Sequence, residues 1–507
     1  MLPMKFVQAL FVLLAYGAFC GLIVWRHRQR VLAAAQRAQA LLHSAVPDSS
    51  AGRTLWWVVH ASQTGQAEAL AEQTAQALHS AGLAVRLLPL GQLRREDLRG
   101  MERLLCIVST YGEGDAPDSA AAFVRDCMDD REVVADARDA ASLPRLAALQ
   151  VGLLALGDTS YAQYCGFGRA LDAWFQARGA RPLFERVEAD RMAPTAMLRW
   201  RQQLGALIAM GRTGQAGDEA GAADLPDWET PPLQSWTLRA RRHLNPGSAG
   251  GPVHHLEFVP EAGELPAWEA GDLAQIEVPG APGAPRDYSI ASVPADGTLH
   301  LLVRQTRRVH ADGSSSPGLA SGWLTAATEQ GLPLHGRAML RLRAHSAFRI
   351  GGNAERPLIL IGNGTGLAGL RAHIRHRLAQ VQHGPASTLV PMWLIFGERH
   401  AATDAYYREE LEAWVAQGLL RVDWVFSREQ SAAQVGQRRY VQHALREAAA
   451  DLRDWVAGRQ DRPGAAIYVC GSLQGMAGEV DQALRDILGE ADLRALADEG
   501  RYRRDVY

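Results

Sequence analysis

Two stretches of this chain repeat one rhythm, a short apolar run followed by a helical pattern, and the rhythm stops between them. The first set of runs is "LWWVV", "AVRLLPL", "LLCIVST" and "VGLLAL", starting at Leu55. The second is "PLILIGNG", "LVPMWLIFG", "LLRVDWVFS" and "AAIYVCG", starting at Pro357. Apolar runs that alternate with helices predict a parallel α/β sheet. Between the two sets, residues 233–345 give short strands broken by Gly and Pro, the pattern of a small β-barrel. A chain of 507 residues is too long for one core. The expected division is an α/β domain over residues 54–210, a barrel over 231–350 and a second α/β domain over 351–507. A linker at 211–230, rich in Gly, Ala, Asp and Pro, separates the first two.

The N-terminus adds a different element. Phe6 to Trp25 is apolar apart from Gln8, long enough to span a hydrocarbon core, with Lys5 before it and Arg26, Arg28, Arg30 and Arg37 after it. A transmembrane anchor over residues 1–30 and a helical stalk over 31–53 are expected. The heavier basic side places the body in the cytoplasm, on a single-pass inner (plasma) membrane protein. A net charge of -2 argues against a nucleic-acid-binding body. Five irregularly spaced cysteines suggest neither a disulfide framework nor a metal site.

The loops that follow the apolar runs carry the chemistry. Ser62, Gln63, Thr64, Gly65, Gln66 and Ala67 offer hydroxyls and amides at a helix start, where the helix dipole favours a phosphate. The third run leads into "STYGEGDAPDSA", with Ser109, Thr110, Tyr111 and Gly112. The fourth leads into "LGDTSYAQYC", with Leu156, Gly157, Asp158, Tyr161, Tyr164 and Cys165. Ligands of open parallel sheets bind outside these strand ends. A phosphate loop and two aromatic-bearing loops suit a flat ring with a phosphorylated tail. In the barrel, "RDYS" puts Arg286 and Tyr288 on one face of a strand, beside Asp287 and Ser289. In the second α/β block, Gly362, Gly364, Thr365 and Gly366 form a dinucleotide-type phosphate loop. Ser427, Arg428, Arg438, Tyr440 and Gln442 gather two cations and hydroxyls that suit an extra ribose phosphate.

In this order, these motifs resemble the diflavin reductase family. The resemblance implies an FMN-binding flavodoxin-like doubly wound sheet, an FAD-binding barrel and a ferredoxin–NADP reductase-like NADP-binding α/β domain. It implies that the Ser62–Ala67 loop grips the FMN phosphate and that Tyr111 and Tyr161 flank the FMN ring. "SPGLAS" resembles the segment that approaches the FAD pyrophosphate, with Gly318, Leu319, Ala320 and Ser321. Cys470, Ser289 and Asp505 match the family's residues at the hydride site, and Tyr507 would cover the FAD ring until nicotinamide displaces it. Arg304 stands where the family often has Gly, and no room exists between Pro232 and Arg286 for a helical connecting domain. The implied activity carries electrons from NADPH through FAD and FMN to a haem-protein acceptor. Transfer to a sulfite reductase haemoprotein subunit, or reduction of ferric siderophores, are the alternatives.

Overall fold

The computed structural model describes residues 54–111, 114–128, 146–159, 161–212, 232–309, 313–326, 331–383, 390–429, 438–459 and 462–507. Two compact units divide the chain, Met1–Trp228 and Glu229–Tyr507.

The first unit is built on a parallel sheet. Its strands are β1 (Leu55–Ala61), β2 (Ala84–Pro89), β3 (Arg103–Ser109), β4 (Gln150–Gly157), β5 (Arg181–Pro182) and β6 (Val187–Asp190). The order is β2-β1-β3-β4-β5, with β6 also on β4. Alternate side chains of β1 enter opposite cores. Trp56 and Val58 pack with Leu70, Leu78 and Trp200, while Trp57, Val59 and Ala61 pack with Phe123, Leu171 and Phe175. A strand buried on both faces must be apolar at every position, which is why "LWWVV" shows no alternation. Helix α1 (Gln66–Ser80) buries Ala67, Leu70, Ala71, Thr74, Ala75, Ala77 and Leu78, a stripe at helical spacing. Helix α2 (Gly166–Ala177) covers the other face, and α3 (Pro194–Arg212) sends Trp200 to donate its indole N–H to Thr74 Oγ1 at 3.3 Å. The order reverses between β1 and β3, so their C-terminal loops form the switch-point crevice of a flavodoxin-like sheet.

The second unit has two layers of its own. Strands β7 (Gln234–His243), β8 (Val253–Pro260), β9 (Leu273–Val278), β10 (Ala281–Ser289), β11 (Leu299–Arg304) and β14 (Arg337–Arg343) form an antiparallel sheet in the order β10-β9-β14-β7-β8-β11. The ends of that order meet at the bridge Ile290↔Leu301, so the sheet curls into a barrel. Trp236, Phe258, Trp268, Ile276 and Leu301 fill it. A small ribbon, β12 (Arg307–Val309) with β13 (Ser315–Pro317), leads into the short helix α4 (Leu319–Thr325). Arg241 donates to the carbonyls of Leu324, Ala326 and Leu332, closing the end of α4.

The remainder is a second parallel sheet: β15 (Leu358–Asn363), β16 (Met392–Glu398), β17 (Arg421–Phe426), β18 (Ala466–Gly471) and β19 (Tyr502–Val506), ordered β17-β16-β15-β18-β19. Helix α5 (Leu367–His383) follows β15. The closing segment, read from sequence as a covering tail, is an edge strand of this sheet.

One sequence-based placement is corrected. A single-pass position in the inner membrane needs about 20 apolar residues in one helix. Among the described residues no helix is long and apolar enough to cross a membrane. The longest, α3, carries Arg199, Arg201 and Arg212. The segments expected as anchor and stalk, residues 1–30 and 31–53, lie outside the described residues, as does most of the linker expected at 211–230.

A buried polar cluster joins the barrel to the second parallel sheet. His255 donates Nε2–H to Glu257 Oε1 at 3.1 Å, and its Nδ1 meets Tyr407 Oη at 2.8 Å. His300 Nε2 meets Thr298 Oγ1 at 2.7 Å, and Arg371 Nη1 approaches its Nδ1 at 3.3 Å. Arg371 also pairs with Glu410. Burial holds both histidines below the usual imidazole range, His300 at about 3. Fully buried His373 is held at about 3 for the same reason. The folded pKa values lie below the unfolded value near 6.5, so unfolding takes up protons between them. Stability is then complete above about pH 6.5 and falls as pH drops towards 3. The expected slope is on the order of 1.4 kcal/mol per pH unit for each titrating histidine. Urea midpoints between pH 7.5 and 4.5 measure it. His300→Gln should flatten the slope, and an unchanged slope would mean the imidazole is already charged.

Candidate functional site

In the first unit, three loops converge at the C-terminal ends of β1, β3 and β4. Ser62 N–H donates to Ser119 Oγ at 2.9 Å, and Ser119 returns a bond to Ser62 O at 3.1 Å. Gln63 exchanges two bonds with Asp118, at 3.1 and 3.0 Å. Ser62 Oγ accepts from Ala67 N–H at 3.2 Å. Ser62 and Gln63 are therefore buried in the loop wall, holding it open. Thr64, Gly65 and Gln66 form its rim at the start of α1, and Gly65 adopts φ 79, a left-handed conformation suited to glycine. Thr110 N–H donates to Leu156 O at 3.0 Å, tying the second loop to the third. Thr110 Oγ1 is buried and has no partner among the described residues. Such an orphan hydroxyl is costly in an empty site and fits a polar ligand in this crevice.

The aromatic residues separate into two roles. Tyr161 is 52% exposed and offers its ring. Tyr111 is half-buried and forms an isolated bridge with Asp115. Tyr164 instead packs against Gly157, where a Cβ would sit 2.9 Å from its ring and 2.8 Å from Cys165 Sγ. Cys165 donates to Ala155 O at 3.4 Å and is fully buried, with its thiol pushed up to about 11 chiefly by burial. Tyr164 and Cys165 thus build the loop. Asp158 pairs with Arg191 at 2.7 Å. Gly112 lies outside the described residues.

The second unit draws the expected catalytic residues together from three distant segments. Parallel pairing of β18 with β19 sets Cys470 opposite Asp505. Ser289, at the end of β10, donates Oγ–H to Asp505 Oδ2 at 2.8 Å. Cys470 Sγ lies 3.5 Å from the same oxygen. All three are buried. Burial, then the Asp505 charge, raises the Cys470 pKa well above the ordinary thiol value, so the group is a neutral donor and no thiolate. Tyr507 donates its N–H to Gly471 O at 3.0 Å and bonds Thr365 Oγ1 through its hydroxyl at 3.1 Å. The residue is nevertheless 56% exposed, an aromatic surface pinned at both ends and suited to a flat ring.

The glycines of "GNGTG" are required by close approach. A Cβ on Gly362 would sit 2.7 Å from Cys470 O, and one on Gly366 would sit 2.1 Å away. The loop therefore packs directly on the end of β18. Gly364–Gly366 forms one 3₁₀ turn that opens into α5, so its amides point outward at a helix start. At the neighbouring strand end, Ser427 N–H donates to Glu398 O at 2.8 Å and Arg428 N–H to Arg399 O at 3.0 Å. Among the described residues neither Arg428 nor Arg438 forms an ion pair, whereas Arg439 between Arg438 and Tyr440 is held by Glu447 at 2.6 Å. Tyr440 starts a short helix with its ring 39% exposed, and Gln442 is buried.

The barrel residues divide similarly. Arg286 is exposed and Tyr288 half-buried against the barrel core. Asp287 is bound to Gln275 at 2.9 Å and to Arg343 at 2.7 Å, a cross-strand tie. Ser321 Oγ bonds Thr306 at 2.8 Å, and a Cβ on Gly318 would sit 2.2 Å from Thr306 Oγ1. Gly318 and Ser321 fix the turn, leaving the Leu319 and Ala320 amides at the helix start. Sequence reasoning noted Arg304 only as a departure from pattern and missed Glu398 and Tyr406, which hold it. No local motif marks residues brought together across about 100 positions.

Comparison with known proteins identifies the two α/β domains and the chain's relatives. Residues 58–201 match the family model described as flavodoxin. Residues 360–482 match the one described as oxidoreductase NAD-binding domain. The sulfite reductase [NADPH] flavoprotein alpha-component of Neisseria meningitidis serogroup A is 28% identical over 569 aligned positions, covering 89% of each chain. That of Klebsiella pneumoniae is 27% identical, again covering 89% of each. That of Salmonella typhimurium is 26% identical, covering 93% of this chain and 92% of its own. These alignments are longer than the chain itself, so the relatives carry stretches it lacks. With a flavodoxin domain followed by an oxidoreductase NAD-binding domain, and with these relatives, the chain is a member of the diflavin reductase family, an NADPH-dependent oxidoreductase that takes FMN, FAD and NADPH.

Proposed function

We propose that this reductase works as a flavoprotein component of the sulfite reductase type, handing electrons to a haemoprotein partner. The observation that carries the reading is the similarity to sulfite reductase flavoprotein components along nearly nine-tenths of both chains. It favours that acceptor over the general haem-protein reductase expected first from sequence, and over ferric siderophores.

When bound, NADPH supplies a hydride and the two flavins divide its two electrons into single steps. The chain's own residues supply position and shielding. Thr64, Gly65 and Gln66 would hold the FMN phosphate, with Ala67 tying the loop to Ser62 and Thr110, Tyr111 and Tyr161 about the ring. Arg286, Tyr288 and the α4 amides hold FAD. Gly362, Thr365 and Gly366 receive NADPH, whose extra phosphate meets Ser427, Arg428, Arg438 and Tyr440. Asp505 keeps the Ser289 hydroxyl and the Cys470 thiol oriented in a buried site, and Tyr507 guards its mouth.

The test is an anaerobic NADPH titration with released flavins identified, followed by mixing with a sulfite reductase haemoprotein component. The expected uptake is about four electrons per chain, two for each flavin, with FMN and FAD in equal amounts and NADPH-dependent sulfide formation after mixing. Four electrons without sulfide, but with rapid reduction of an unrelated haem protein, would overturn the acceptor and leave the reductase.

A further inference from the structure

A dinucleotide carries a pyrophosphate, and the Gly362–Gly366 loop supplies amides and a hydroxyl but no cation. Arg428 and Arg438 form no ion pair among the described residues; Arg428 follows β17, on the far side of β16 from the loop, and Arg438 precedes Tyr440. A cation does reach the loop, and it comes from the barrel. Arg304 closes β11, and its Nη2 lies where a Cβ on Gly364 would be 3.2 Å away. Gly364 has φ 58, so the glycine and the guanidinium share one tight corner.

The hold on Arg304 is rigid. Its stem runs along Gly251, where a Cβ would lie 3.6 Å from its Cγ. Its Nη2 pairs with Glu398 Oε1 and donates to Tyr406 Oη at 3.2 Å. Tyr406 in turn donates to Glu398 Oε1 at 3.0 Å, and Arg399 N–H donates to Oε2 at 3.1 Å. Glu398, with its side chain 5% exposed, is thus fully bonded. The guanidinium is not. Among the described residues its contacts run through Nη2 alone, and its buried Nε has no partner. Arg377, which donates to the carbonyls of Asn353 and Arg356, also leaves its buried Nε without a partner among the described residues, so what sets Arg304 apart is its approach to the Gly364 turn. The side chain remains 32% exposed, which gives a ligand access to its other edge.

We propose that Arg304 is the cation that binds the pyrophosphate of NADPH, braced by Glu398 and Tyr406 over the Gly364 turn. This rests on the proposed reading of Gly362–Gly366 as the NADPH loop. The pyrophosphate is common to NADPH and NADH, whereas the extra ribose phosphate is not. Arg304 therefore contributes to the binding of both nucleotides equally, and Arg428 to only one.

Calorimetric dissociation constants for NADP⁺ and NAD⁺, measured on the flavin-loaded full chain, separate the two roles. Arg304→Gln is the variant of choice because an amide preserves a bond to Glu398. It should weaken both nucleotides by the same factor, about tenfold or more for a lost charged hydrogen bond. The dependence of affinity on salt should become shallower, and Arg304→Lys should recover part of the loss. Arg428→Ala should weaken NADP⁺ alone. Unchanged affinities in Arg304→Gln, or FAD loss with unchanged affinities, would reduce Arg304 to a structural tie. A loss confined to NADP⁺ would move it to the ribose phosphate. If the wild-type chain itself fails to prefer NADP⁺, the reading of the loop and its neighbours fails first, and the Arg304 proposal with it.

Discussion

Replacing Asp505 with Asn should slow hydride transfer from NADPH by about 100-fold while flavin content and NADP⁺ affinity stay near wild type. Asp505 Oδ2 is the shared acceptor of Ser289 at 2.8 Å and Cys470 at 3.5 Å. Asparagine keeps an oxygen that can accept both bonds, so the fold of the site survives. The lost feature is the negative charge, fixed in a buried place where electrostatic interactions are strong. Departure of a hydride leaves nicotinamide cationic, so that charge acts more on the transition state than on the ground state. Asp505→Ala should be slower still, because it also leaves two buried donors unpaired. Stopped-flow bleaching of FAD absorbance measures the step. A wild-type rate in Asp505→Asn would assign the residue to packing alone.

Tyr507→Ala should lower the preference for NADPH over NADH, measured as the ratio of kcat values, by at least about tenfold. Tyr507 is held at its backbone N–H by Gly471 O and at its hydroxyl by Thr365 Oγ1, and it stands exposed beside Ser289, Cys470 and Asp505. In the proposed reading nicotinamide displaces it, and the cost falls on both nucleotides. The benefit of removing it does not. With NADPH, tightly held product becomes slower to leave and limits turnover. With NADH, weakly held throughout, each productive docking adds to the rate. An unchanged ratio would exclude Tyr507 as the gate.

The sequence disclosed more of the frame than of the site. Strand runs such as "LWWVV" and "LILIG" were legible because double-sided burial leaves no polar position, and the loops after them inherit a place at the sheet edge. Glycine spacing in "GNGTG" was legible as a need for close approach, although only the structure shows that the neighbour is Cys470 O. The last strand was not legible. "YRRDV" has two arginines and no apolar alternation; it pairs because Ile467 to Gly471 offer an open edge, and Arg503 bonds the carbonyls of Ser346, Arg349 and Gly500. The division of loop residues into walls and rim was also hidden. Nothing near Ser62 or Ser321 announces that Ser119 and Thr306 engage them, because those contacts join separate segments.

The place of Asp505 on an outermost strand ties the reaction to local fraying. Among the described residues β19 has a neighbour on one side only, β18. Edge elements open more readily than central ones, at a free energy below that of global unfolding. A short-lived separation of β19 from β18 would remove Asp505 and Tyr507 together while both flavins stay bound and the core stays folded. Mild heating would then silence the reductase before calorimetry registers any melting, and cooling would bring it back. For this chain the temperature of half-activity would then report on the five residues of β19, and the temperature of unfolding on the rest.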